Sequence, residues 1–305
     1  MVVRALFTLL MAVFLAFSYE IKLRKVDKDI YMVRGEDALP SLKNGGFISN
    51  AFAVYTEEGW VVIDTLSTPE LSEKFLKELL KVKKAPVKYT IITHYHPDHW
   101  YGAKTFKDAK AKMVAHKKLK ELYDSGEAKA ILEEANRSFN GLYDSVVLVP
   151  PDIVVEDKVR LKAGSRTFDI ISMTPAHTNS DIVVYMPDRK VLFAGDLVYY
   201  KRIPFMGDRN ASSKGWEEVL RRIKSMDIKL ILGGHNEPMD KKAIDYTLGY
   251  ITYLRENIRM MKQEGKFIDE IKQALSDSPY KKDAMYQEFH NANIFRVDME
   301  LDLEP

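Results

Sequence analysis

Three of the chain's seven histidines fall within six residues, His94-Tyr95-His96-Pro97-Asp98-His99. Imidazole and carboxylate at this density suit Zn2+, Fe2+ or Mn2+. The cluster follows residues 87–93, an apolar run that reads as a buried strand, and Pro97 stiffens the loop that carries it. A loop at the carboxyl end of a strand can turn consecutive side chains toward one point. His94 and His96 are therefore expected to face one metal, and Asp98 and His99 a second. Residues of the same chemistry end other strand-like runs. His177 follows residues 167–172, Asp196 closes Leu192-Phe193-Ala194-Gly195-Asp196, and His235 follows residues 230–232. Taken alone each is ordinary. Together they share the position where layered α/β folds build their sites.

The composition limits what else the chain can do. It has 305 residues and no cysteine, so disulfides, thiolate nucleophiles, Fe–S clusters and thiolate zinc sites are excluded. Any metal must be held by His and carboxylate. With 46 basic and 44 acidic residues the formal net charge is +2, and no basic stripe suggests a nucleic-acid partner. Residues 1–18 (MVVRALFTLLMAVFLAFS) place Arg4 before an apolar run, with Ala16 and Ser18 two apart. That is the layout of a secretory signal peptide cleaved near Ser18/Tyr19. The run is shorter than the roughly 18–20 residues that span a bilayer. A periplasmic or secreted protein with no stable membrane insertion is expected.

The elements that must position the ligands follow from periodicity. Residues 46–55 and 60–64 read as a hairpin around a Gly59 turn. Thr68 caps a helix running from Pro69 to about Lys81. Strands are expected at 87–93, 111–115, 153–161, 167–172, 181–186, 190–194 and 230–232. Helices are expected at 119–138 with a break at Ser125-Gly126, at 213–226, and over 241–264, 266–276 and about 282–295. Two groups of strands with helices placed between them fit an α/β protein with a two-layer sandwich covered by helices. The chain then divides into residues 1–18 as signal, 19–240 as a core domain, and 241–305 as helices packed on that domain. His116 reads as a surface residue at a helix start and His290 as a packing or hydrogen-bonding group. The aromatics of 246–253 fall at helical spacing and read as core. The loop 201–216 is expected to border the pocket through Phe205 and Met206, with Gly45-Gly46-Phe47 a weaker candidate for the opposite rim.

His94-x-His96-x-Asp98-His99, His177, Phe193-Ala194-Gly195-Asp196 and Gly234-His235 resemble the metallo-β-lactamase superfamily in order and approximate spacing. The resemblance implies an αββα sandwich with a C-terminal helical extension. Residues 44–50 (NGGFISN), Val62-Ile63-Asp64-Thr65, the run 94–102 and Phe289-His290-Asn291-Ala292-Asn293 are similar to the periplasmic quinoprotein relay system and Sox-type zinc metallohydrolases. Carried over residue by residue, the resemblance implies a first metal on His94, His96 and His177. A second would lie on Asp98, His99 and His235, with Asp196 bridging the two. Zn2+ is the expected ion, with Fe or Mn as alternatives.

Such a site would use a bridging hydroxide to attack a small ester, lactone, thioester or amide carbonyl. Asp98 could also relay a proton, and Tyr199, three residues after Asp196, could stabilise the oxyanion. One alternative is β-lactam hydrolysis by the same mechanism. Another is a non-catalytic accessory metal protein of a periplasmic oxidation pathway. A flavin-dependent diiron oxidase is disfavoured, because relatives of that kind usually carry a Glu within the first motif, where this chain has His96. The partner is expected to be a small-molecule substrate.

Overall fold

The computed structural model describes residues 20–304. The signal-peptide expectation for residues 1–18 lies outside the described residues.

Seven strands form one sheet in chain order: β1 (Arg24–Asp27), β2 (Ile30–Val33), β3 (Ala51–Thr56), β4 (Gly59–Ile63), β5 (Val87–Ile91), β6 (Lys112–His116) and β7 (Ile153–Val155). Its first four strands are antiparallel neighbours, and β4 to β7 run parallel. A second sheet holds β8 (Lys158–Ala163), β9 (Arg166–Ser172), β10 (Ile182–Met186), β11 (Val191–Gly195) and β12 (Leu230–Gly233), in the order β12-β11-β10-β9-β8. The parallel crossovers are filled by α1 (Pro69–Val82), α2 (Pro97–Trp100), α3 (Ala103–Asp108), α4 (Lys117–Asp124) and α5 (Glu127–Ser138) on the first sheet. On the second sheet lie α6 (Ser213–Ser225), α7 (Lys242–Gln263), α8 (Ile268–Leu275) and α9 (Tyr286–Leu303).

The alternation of side chains along each strand makes four layers. Phe52 and Val54 of β3 and Val61 and Ile63 of β4 face inward onto Phe168, Ile170, Val184 and Phe193 of the second sheet. Phe52 and Phe193 meet edge to face with ring centroids 5.4 Å apart. The alternate residues Ala51, Ala53, Trp60 and Val62 face outward and pack under Leu71, Phe75 and Leu79 of α1. The outer face of the second sheet packs under α6, α7, α8 and α9 through residues such as Leu192, Trp216, Tyr250 and Ile294. This is the expected αββα sandwich with added C-terminal helices.

Thr68 caps α1 by accepting from Leu71 N, with Pro69 at the first helical position, as expected. Three local expectations change. The run 153–161 is two strands, split at Glu156-Asp157 and assigned to different sheets. The hairpin of β1 and β2 adds an unforeseen edge, turning at Asp29 with φ +61°. The last helix starts four residues later and runs well beyond residue 295. No helix among the described residues is long and apolar enough to cross a membrane.

Candidate metal centre and its cavity

β5 runs out into Thr93 and His94, and the chain then turns into α2 with His96 at its N-cap and Pro97 first in the helix. The expected loop is therefore one helical turn, which Pro favours at that position. It brings Asp98 to 3.6 Å from His235 Nε2 and His99 Nε2 to 3.3 Å from Asp196 Oδ1. Ser49 Oγ donates to the Asp98 carbonyl at 2.5 Å, and Thr65 N and Oγ1 both donate to the His99 carbonyl at 2.9 Å. The parallel neighbours β11 and β12 end side by side, carrying Asp196 and His235. Between them Gly234 has no room for a side chain, because a Cβ there would overlap Asp196 Oδ1 and the His99 ring. Asn50 closes this end by donating to the carbonyls of Gly233 (2.9 Å) and Asn236 (2.8 Å).

The seven predicted ligands come together. Ligand atoms of His94, His96 and His177 lie within 4.8 Å of one another, and so do those of Asp98, His99 and His235. His94, His99 and Asp196 form a third such set, which joins the other two. Asp196 stands between them: its Oδ2 is 3.1 Å from His235 Nε2 and 3.6 Å from His177 Nε2, and its Oδ1 is 3.3 Å from His99 Nε2.

Each imidazole is oriented through its outer nitrogen. His96 Nε2 donates to Asp208 Oδ2 at 3.0 Å and His99 Nδ1 to Asp64 Oδ2 at 2.8 Å. His177 Nδ1 donates to the Phe205 carbonyl at 3.0 Å and His235 Nδ1 to the Ile48 carbonyl at 2.8 Å. His94 Nδ1 meets Thr93 Oγ1 at 3.1 Å, and that hydroxyl donates to Asp64. These partners fix each tautomer, so the inner nitrogen carries a lone pair.

The inner atoms have the chemistry of a cation site. His94 Nε2, His99 Nε2 and Asp196 Oδ1 are buried without a hydrogen-bond partner, which native interiors avoid. His96 Nδ1 and His177 Nε2 face each other at 2.9 Å, close enough to share one proton or one metal ion. Electrostatics agree. Burial resists charge on His99, yet Asp98, Asp196 and Asp64 outweigh it and raise its pKa well above the usual imidazole range. Burial would raise Asp98, but His99 and His235 pull it down to about 2. Asp196 is likewise held well below the usual carboxylate range, where His235 and His99 overcome burial. Burial and neighbouring imidazoles push His94 well down and His177 to about 3. The pocket thus keeps its carboxylates ionised and the His94 and His177 nitrogens bare, while the same carboxylates favour positive charge at His99 and His96, the kind of charge a bound dication would supply. The residues fit a pair of divalent metals.

Above these atoms lies a cavity of about 220 Å3, with His96, Asp98, Asp196 and His235 at its floor. Its walls are largely apolar, with Leu39, Ile48, Phe139, Phe205 and Phe289 among them. Tyr199 is fully buried, lines the cavity, and donates its hydroxyl to Asp196 Oδ2 at 2.8 Å. Its ring stacks on His235, and the Arg202 guanidinium lies 5.4 Å from its centroid.

Some expectations shift. Phe205 is on the wall, but Met206 is buried in the core behind it. The opposite rim is Ala38-Leu39-Pro40 and Ile48, while Phe47 packs into the core under α1. His116 does start a helix, as the N-cap of α4, but it is buried rather than on the surface. His290 is a hydrogen-bonding group, reaching Tyr250 Oη and the Leu275 carbonyl at 3.0 Å each.

The sequence reading gave no role to Asp64, Asp208, Arg202 or Phe289. Asp64 had a signal: it ends β4, the parallel neighbour of the strand that delivers His94. Asp208 had none, being 112 residues from its partner in an irregular loop.

A four-layer sandwich with a His and Asp cluster at its strand ends defines a class of metal-dependent hydrolase folds. The family model described as Metallo-beta-lactamase superfamily matches residues 44–235, and the chain belongs to that superfamily. Its members are hydrolases, usually zinc-dependent, that typically bind two divalent metals. The chain is 26% identical over 238 residues to a metallo-beta-lactamase type 2 of Elizabethkingia meningoseptica, spanning 76% of this chain and 86% of that protein. It is 23% identical over 275 residues to a linear primary-alkylsulfatase of Pseudomonas sp. (strain ATCC 19151), spanning 73% of this chain and 49% of that one. Among solved structures, the stereoselective inverting sec-alkylsulfatase of Pseudomonas sp. superposes with TM-score 0.73 at 19% identity, covering 93% of this chain and 52% of that chain. A metallo-beta-lactamase from Pontibacter korlensis gives 0.61 at 21%, covering 76% and 99%. The chain spans about half the length of the alkylsulfatases, and these structural likenesses speak for the fold alone.

Proposed function

We propose that the protein is an exported, dinuclear zinc hydrolase of a small ester, lactone, thioester or amide that carries an apolar substituent, and that it belongs with the periplasmic quinoprotein relay and Sox-type hydrolases. The observation that carries the reading is the set of partnerless inner atoms, His94 Nε2, His99 Nε2 and Asp196 Oδ1, under an apolar cavity. Zinc ions held by His94, His96 and His177, by Asp98, His99 and His235, and by Asp196 between them would supply Lewis acidity and a water acidified toward neutrality. The remaining work falls to the chain's own groups. Leu39, Phe205 and Phe289 exclude water and seat the apolar substituent. Tyr199 presents a neutral phenol at the floor, and turning its proton from Asp196 Oδ2 to a substrate oxygen would stabilise developing charge there. Asp98, at the cavity floor, is placed to carry a proton toward a leaving group.

A second reading is sulfate-ester hydrolysis. One relative is a linear primary-alkylsulfatase, and the apolar walls suit the alkyl chain of such a substrate. The test is metal analysis followed by a panel of paired acyl esters, lactones, thioesters, alkyl sulfates and β-lactams. Two equivalents of metal and turnover of at least one class are expected, with Asp196→Ala losing more than about a hundredfold, beyond what loss of an outer partner costs. Two bound metals with no turnover, and Asp196→Ala indistinguishable from the parent, would overturn it.

A further inference from the structure

The last helix reaches back to the loop that orients two of the ligands. Asn293 of α9 is fully buried, and its amide grips the backbone on both sides of Phe205. Oδ1 accepts from Met206 N at 3.0 Å, and Nδ2 donates to the Pro204 carbonyl at 2.8 Å and to Tyr250 Oη at 3.1 Å. The peptide groups flanking Phe205 are thereby fixed, and with them the direction of its carbonyl. That carbonyl is the acceptor that sets the tautomer of His177. The same loop carries Asp208, the acceptor for His96. Further along α9, Arg296 donates to the carbonyls of Arg209 and Ala211, and Glu300 accepts from Ser213 N at 2.8 Å. The helix therefore fastens the loop 204–213 at successive turns. The acceptors of the other ligand group, Asp64 and the Ile48 carbonyl, belong to segments of the first-sheet half.

We propose that Asn293 is a positioning residue for the His94, His96 and His177 site, so that α9 tunes one metal of the pair and not the other. This rests on the metal-centre reading above. Outer partners of metal ligands typically change affinity about ten- to hundredfold, and a residue one step further out should change it less, about three- to tenfold.

The test measures zinc binding by competition with a chelating dye, without reference to turnover. In an Asp98→Ala background, which leaves the first group, Asn293→Ala should weaken zinc about three- to tenfold. In a His96→Ala background, which leaves the second group, it should change affinity less than about twofold. His290→Gln is the control for helix damage. It lies on the same helix as Asn293, loses the imidazole's bonds to Tyr250 of α7 and Leu275 of α8, and should lower the melting temperature while leaving first-group affinity within about twofold. Asn293→Asp, which keeps the acceptor for Met206 N and loses the donor to Pro204, repeats the measurement if the alanine variant does not fold. Equal weakening of both groups, no weakening of the first, or first-group loss matched by His290→Gln would overturn the proposal. A parent protein that binds no zinc would instead overturn the metal-centre reading, and this inference with it.

Discussion

The two sheets deliver their ligands differently. The first supplies His94, His96, Asp98 and His99 from one string after β5, braced by a carboxylate at the end of the adjacent strand, Asp64. The second supplies His177, Asp196 and His235 singly, from the ends of β9, β11 and β12. Those two imidazoles are braced by backbone carbonyls, at Phe205 and Ile48, which lie outside their own sheet. The first half of the site is preorganised by strand register except at His96, whose acceptor Asp208 lies in the loop held by α9. The second half depends on loops, and one of those is held by α9. Register is fixed by continuous backbone hydrogen bonding, so the first half should resist remote change better than the second.

The largest effect should come from removing the charged braces. Asp64 and Asp208 each accept from a ligand imidazole, and neutralising either lowers the basicity of that ring's inner nitrogen. Asp64→Asn should weaken zinc about tenfold or more at the Asp98, His99 and His235 group, and less at the His94, His96 and His177 group, which Asp64 reaches only through Thr93. Asp208→Asn should do the same at the His94, His96 and His177 group. Measured by zinc competition in the single-group backgrounds, the larger losses of the two variants should fall on opposite groups. Losses that fall on both groups alike would mean that the cluster acts as one unit and that the division between the two ligand groups has no energetic meaning.

The same division explains what could be read before the structure. A short string of ligands after an apolar strand is local, and its chemistry is visible in residue type and spacing. His177, Asp196 and His235 were legible only through their shared position at strand ends. Apart from Asp64, the braces were not legible, for physical reasons. Asp208 works because an irregular loop folds back onto His96, and the acceptors at Phe205 and Ile48 are carbonyls, which any residue supplies. Phe289 reaches the cavity from a helix that sequence periodicity placed but could not dock. The sandwich itself was legible because alternation along β3 and β4 sorts inner from outer residues. Residues 153–161 misled because β-forming residues continue across Glu156-Asp157, where the chain leaves one sheet for the other.

A smaller effect should separate the cavity from the metals. Phe289 packs on Phe205 with centroids 5.4 Å apart and lines the wall, without touching a ligand group. Phe289→Ala should raise KM about tenfold for substrates with a long or aromatic substituent, in the range expected for losing apolar contacts. A short-chain ester should keep its kcat and KM within about twofold, and zinc stoichiometry should not change. A uniform fall in kcat across the panel would place Phe289 with the bracing elements of the second half instead.

The smallest effect concerns the seam between the sheets, away from the metals. His116 ends β6, and its Nδ1 accepts from Lys118 N to cap α4. Its Nε2 lies 3.2 Å from Ser172 Oγ, at the end of β9 in the other sheet. Both bonds together need the neutral ring with its proton on Nε2. Burial, then the charge of Lys117, pushes the pKa down from 6.5 to about 4, against a hydrogen bond at the Glu156 backbone that raises it. The unfolded chain therefore binds the proton first as pH falls. The contribution of His116 is complete above about pH 6.5 and is lost progressively as pH falls to about 4. His116→Asn supplies a cap that does not titrate. Denaturant unfolding at a series of pH values should show a shallower decline for the variant than for the parent between pH 6.5 and 4, with unchanged zinc binding at neutral pH. Equal slopes would mean that the ring is charged in the folded protein and that the two sheets are not joined through a neutral imidazole.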